Sequence, residues 1–98
     1  KNNATAEKDV KFVNDFSSAY YLRLTVADKA GVLSKISAIF GKYGISIVEM
    51  IQKANENGQA TLILVTHETK ELSVRNAVSK INALDEIAKV ESILRVVA

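Results

Sequence analysis

The sequence predicts an α+β domain in which two helices cover one face of a four-stranded antiparallel sheet, and three observations carry that expectation. Tyr20 to Ala27 alternates, with Leu22, Leu24 and Val26 on one face and Tyr21, Arg23 and Thr25 on the other, as in a half-buried strand. Val32, Leu33, Ile36, Ile39, Phe40 and Tyr43 then recur at helical spacing and form one apolar stripe. After a hairpin signal the helix and strand patterns return, so the order reads β-α-β-β-α-β.

Each later element has its own signal. Gly44 supplies the left-handed residue that closes the first helix, and Lys42 suits the negative end of its dipole. Ile45 to Ala54 and Gln59 to Thr66 are β-rich runs separated by Asn55-Glu56-Asn57-Gly58, in which Asn57-Gly58 tolerates positive φ, so they form a hairpin. Thr69 is the expected N-cap of the second helix, Glu71 sits in its first turn, and Leu72, Val74, Ala77, Val78, Ile81 and Leu84 form its apolar stripe. Val90 to Val97 gives the last strand. Right-handed crossings put both helices on the same side, the ferredoxin-like arrangement. The opposite face is left uncovered. There Val48 and Met50 are expected to lie opposite Ile45, Ile47 and Ile51, and Ala60 to Val65 is apolar on both sides, a pattern that predicts self-association or packing on another domain.

Composition narrows the function. With 98 residues, 48% of them hydrophobic, the chain supports one compact core. Residues 1–18 are polar, with isolated Val10, Phe12, Val13 and Phe16, and are read as a lead-in from an upstream domain; residues 19–98 form the domain itself. Lys1 opens the chain where a native start carries Met, so a piece of a longer protein is expected. Thirteen Lys and Arg against 11 Asp and Glu leave a net charge of only +2, scattered along the chain, which argues against nucleic acid as a partner. There is no cysteine and a single histidine, so neither a thiolate nucleophile nor a metal site is expected. No apolar run approaches the ~20 residues that span a bilayer, and the absence of cysteine is compatible with a reducing, cytoplasmic location.

The residues that carry chemistry cluster at the first strand-helix junction, Val26 to Leu33. Two readings stand. In one, the backbone N–H groups of Ala30 to Leu33 hold a small carboxylate at the positive end of the helix dipole and Asp28 accepts from its ammonium. In the other, Asp28 caps the helix and Gly31 serves the turn. Gly44-Ile45-Ser46-Ile47 is a second signal: Gly44 and Ser46 are explained by a C-cap and a wet strand residue, or the Ser46 hydroxyl joins the same ligand across a subunit contact. His67 fits helix-entry polarity, and Asp85 and Glu86 a solvated turn. No catalytic residue and no G-x-G-x-x-G or G-x-x-x-x-G-K-[ST] phosphate loop is found. The same strand order also builds RNA-binding sheets, but those stack bases on aromatics, and the third strand has none.

Asp28-Lys29-Ala30-Gly31-Val32-Leu33, followed by Ile39-Phe40-Gly41-Lys42-Tyr43-Gly44-Ile45-Ser46-Ile47, resembles the ACT domain, an amino-acid-binding regulatory module. Tyr20 to Leu24, Ile51-Gln52 and Leu64 to Glu68 resemble in particular the C-terminal regulatory domain of bacterial homoserine dehydrogenases. The resemblance implies a domain that is no enzyme by itself and is attached to a catalytic domain that interconverts aspartate semialdehyde and homoserine with NAD(P). No cofactor is then expected in this chain. It further implies a homodimer through side-by-side sheets and an amino-acid effector, threonine or a related end product. The effector would lie between Asp28 and the backbone of Lys29, Ala30, Gly31, Val32 and Leu33 on one subunit and Ile45, Ser46 and Ile47 on the other. A dimerisation module without effector binding is the alternative. Two positions depart from the family: Ala30 stands where proline is usual, which frees φ and restores a backbone N–H, and Ser46 stands where the amino-acid-binding members carry asparagine.

Overall fold

The computed structural model describes residues 17–97; the lead-in over residues 1–16 lies outside them. In order, the elements are β1 (Ser17–Ala27), α1 (Val32–Lys42), β2 (Ile47–Ala54), β3 (Gln59–Thr66), β4 (Thr69–Lys70), α2 (Glu71–Asn82) and β5 (Ile87–Val96). The main sheet runs β2-β3-β1-β5 with every neighbour antiparallel, and the two-residue β4 pairs with Ser17 and Ser18 at the start of β1. The expected ferredoxin-like α+β fold is therefore present, with a short fifth strand added.

Its core sits between the sheet and the helices. The inward residues of β1 (Tyr20, Leu22, Leu24, Val26) and β3 (Ala60, Leu62, Leu64) meet Val32, Ile36 and Phe40 of α1 and Val74, Ala77 and Ile81 of α2, and all of these are buried. Among the described residues Thr66 is the one buried polar side chain, and its Oγ1 accepts the Tyr20 N–H at 3.0 Å, so its hydroxyl oxygen is not left without a partner. At the end of α1, Gly44 has φ +71, its N–H donates to the Gly41 carbonyl at 3.0 Å, and the Ile45 N–H reaches the Phe40 carbonyl at 2.9 Å. This is a Schellman closure, sealed by Ile45 entering the core beside Phe40.

Four expectations need correction. Thr69 does not cap α2: its pairing with Ser18 draws it into β4, and Lys70, in extended conformation and without a side-chain cap bond, precedes the helix. Ser17 and Ser18, assigned to the lead-in, are by the same pairing part of the sheet. The faces of β2 also differ, because a register shift between Ile47 and Glu49 inserts one residue. Beyond it Met50 pairs with buried Leu64 on the helix side, while Ile51 pairs with Ile63 on the open side, so Ile47 and Ile51 part company. β5, finally, starts at Ile87 rather than Val90, with two irregularities against β1.

Candidate functional site

The turn after β1 is built by backbone bonds on either side. The Ala27 N–H donates to the Glu86 carbonyl at 2.8 Å, and the Asp28 N–H to the Gly58 carbonyl at 2.9 Å. Gly31, at φ +89, reverses the chain, and its carbonyl opens α1 by accepting the Lys35 N–H at 3.1 Å. Only a residue without Cβ takes that φ cheaply. Val32 is buried and fixes the helix start in the core, and Leu33 is half-buried beside it. No side chain caps α1, and its first turn holds no acidic residue. The capping role considered for Asp28 is thereby corrected. The carboxylate instead accepts from the amide of Gln52, Nε2 to Oδ1 at 3.3 Å.

Around these groups lies an open cleft of about 490 Å³, lined by Val26 through Ser34 and by Gln52. It contains Asp28, Lys29, Ala30, Gly31, Val32 and Leu33 together. The first N–H groups of a helix have no partner within it, so those of α1 are available to an acceptor in the cleft. A carboxylate on one side, backbone donors on the other, and an amide able to donate or accept between them suit a small zwitterion. Gln52 lines this cleft without having been singled out for it in the sequence. Its signal was a polar side chain on the helix side of an edge strand, which becomes readable only once the β2 register is known. At the rim, the Lys35 ammonium bonds the Glu86 carboxylate and, by that hydrogen bond first, holds it below the usual carboxylate range; Lys29 adds a weaker attraction.

Ile45, Ser46 and Ile47 are not brought to this cleft within the chain. β2 runs parallel in direction to β1, so Ile47, opposite Thr66, is at the far end of the sheet, while Gln52 and Ala54 are at the loop end. The strand from Ile47 to Ala54 separates the two groups by roughly 20 Å at ~3.3 Å per residue. The Ile45 side chain is buried, Ile47 is half-buried, and Ser46 is exposed with its carbonyl accepting the His67 N–H at 2.9 Å. Among the described residues no group of three or more potential metal ligands occurs, and no helix is long and apolar enough to cross a membrane.

This combination of fold and loop agrees with the family comparison. The chain belongs to the ACT domain family, whose model matches residues 20–86. More particularly, it is similar to part of homoserine dehydrogenases. It is 45% identical over 78 residues to the enzyme of Methylobacillus glycogenes, covering 78% of this chain and 19% of that protein. With the enzyme of Bacillus subtilis the identity is 30% over 92 residues, covering 92% and 21%. The crystal structure of a homoserine dehydrogenase from Thiobacillus denitrificans superposes with a TM-score of 0.76 at 38% identity, over 85% of this chain and 18% of that one. The ACT domain from GTP pyrophosphokinase of Chlorobium tepidum, 16% identical with a TM-score of 0.61, shares the fold. The chain spans about a fifth of the length of the curated relatives it matches.

Proposed function

We propose that this chain is an amino-acid-sensing ACT domain that regulates an attached NAD(P)-dependent homoserine dehydrogenase, with threonine or a related end product as effector. The observation that carries the reading is the placement of Asp28: it does not cap α1, and it lines a cleft with the open start of that helix. In this reading the effector carboxylate sits on the amides of Ala30 to Leu33 and its ammonium on Asp28, with Gln52 turning its amide to the ligand. The similarity to homoserine dehydrogenases supports the choice of attached enzyme, which acts on aspartate semialdehyde and homoserine in the cytoplasm. The residues ahead of the sheet then form the connection to that catalytic portion.

Dimerisation completes the site. β2 is an edge strand carrying exposed Val48 and Ile51. Two copies related by a two-fold axis pair such edges antiparallel, which sets the start of one β2 beside the end of the other. Ser46 of the partner subunit, flanked by its Ile45 and Ile47, then faces the Asp28 loop. An effector acts on the attached enzyme only by its differential affinity for two arrangements of the pair, typically ~1–3 kcal/mol.

Calorimetric titration of the chain with threonine and a panel of other amino acids tests the reading. The expected outcome is saturable heat and a raised melting temperature for one of them. No heat and no shift at millimolar concentrations of any leaves the alternative, a dimerisation module, in its place.

A further inference from the structure

Glu86 grips both flanks of the candidate loop. Its main-chain oxygen accepts the Ala27 N–H at 2.8 Å, and its carboxylate takes the Lys35 ammonium. Ala27 ends β1 and Lys35 lies in the first turn of α1, so the two contacts bracket residues 28–34. The hairpin on the other side offers the Gly58 carbonyl to the Asp28 N–H, and its residues Asn55 to Gln59 are all exposed. Glu86 is differently placed. It directly precedes Ile87, a core residue paired with Val26, at which β5 begins. The far half of β5 carries exposed Ile93, Leu94 and Val96.

We propose that Glu86 is a positioning residue that carries a change in the 28–34 loop into the start of β5, and so to the exposed apolar edge of that strand. What fills the loop rests on the effector reading above; the link itself rests on the two grips. A carboxylate drawn to the first-turn amides of α1 displaces that turn relative to the end of β1. Glu86, joined to both, either releases one contact or moves with the loop. An ion pair of this kind contributes little stability where its lysine is half in water, so its effect is one of geometry. Neighbouring packed structure that has discrete arrangements is what passes such a change on.

The test uses backbone amide resonances of the 98-residue chain. Asp28→Ala perturbs the loop, and Lys35→Met removes the side-chain grip while leaving the backbone bond. Expected is that the shifts Asp28→Ala causes at Ile87, Lys89 and Val90 shrink at least two-fold in the Lys35→Met background, and in Glu86→Gln, and return with Lys35→Arg. Shifts of unchanged size in all backgrounds overturn the proposal. Threonine titration is scored separately. Ligand shifts confined to residues 28–33 also overturn the link. An absence of any ligand shift counts against the amino-acid reading alone, and the Asp28→Ala comparison still decides the role of Glu86.

Discussion

The two helices of this domain begin in opposite ways. α2 starts with its own anion: Glu71 stands in the first turn and is held by Arg75, Nε to Oε2 at 2.7 Å, and by Arg95, Nη2 to Oε1 at 3.3 Å. α1 starts after a left-handed glycine with no acidic residue in its first turn, although Asp28 is only a few positions away and points to Gln52 instead. A helix start attracts negative charge in either case. Where the chain satisfies that attraction internally, the start is structural. At α1 no side chain satisfies it, and in the proposed reading that attraction is left for the carboxylate of the effector.

The largest way to break the comparison is at Gly31. Space around it is open, so Gly31→Ala meets no side chain, but the residue keeps φ +89. A left-handed non-glycine residue costs about 1–2 kcal/mol, and urea unfolding is expected to show that loss. A loss near zero means that the loop relaxes to another conformation and that its shape is not fixed by the glycine.

Asp28→Ala separates ligand from cap. If the carboxylate serves an ammonium, affinity for the bound amino acid falls at least tenfold, about 1.4 kcal/mol, while stability stays within about 0.5 kcal/mol. Calorimetry and urea midpoints on the same variant check both. A stability loss of about 1 kcal/mol with affinity unchanged is the behaviour of a cap and erases the contrast with α2.

Much of this was legible in the sequence, and what was not has specific causes. The α1 stripe translated directly into the burial of Val32, Ile36 and Phe40, because helical spacing needs no partner to be read. Gly44, read as the left-handed residue that closes the first helix, has φ +71, whereas Gly31 was read only as serving the turn. The extra residue in β2 left no such mark: Ile47 and Val48 are alike in chemistry, and only pairing with β3 reveals which one is displaced. Thr69 was misread because its competing partner, Ser18, is distant in sequence. Gln52 was missed as a site residue for both reasons at once, since its face depends on the β2 register and its contact on two strand ends separated by β3. The strand signal at Ile45 to Ile47 was read as a contact across subunits, and within one chain those residues lie at the end of the sheet away from the loop.

Exchanging the two helix starts sharpens the comparison at smaller amplitude. Ser34→Glu places a carboxylate in the exposed first turn of α1 and is expected to add roughly 0.3–1 kcal/mol of stability through the dipole while weakening amino-acid affinity. Glu71→Ala removes the carboxylate from α2 and is expected to lose about the same amount, with affinity unchanged. Urea midpoints of the two variants should therefore move in opposite directions, and only Ser34→Glu should change the titration. Parallel changes would show that the two starts are equivalent.

The smallest effect is in acid. The Lys35 ammonium holds the Glu86 carboxyl below its ordinary value of 4.5, so the folded state binds that proton less readily than the unfolded chain. Its contribution to stability is complete above the ordinary value and is lost as pH falls from there through the depressed folded one. Melting temperatures measured between pH 6 and pH 3 should thus fall less steeply for Glu86→Gln and for Lys35→Met than for the parent chain. Lys35→Arg, which keeps a cation beside Glu86, should restore the parent slope in that window. Equal slopes in the parent, Glu86→Gln and Lys35→Met place the acid response at another carboxylate.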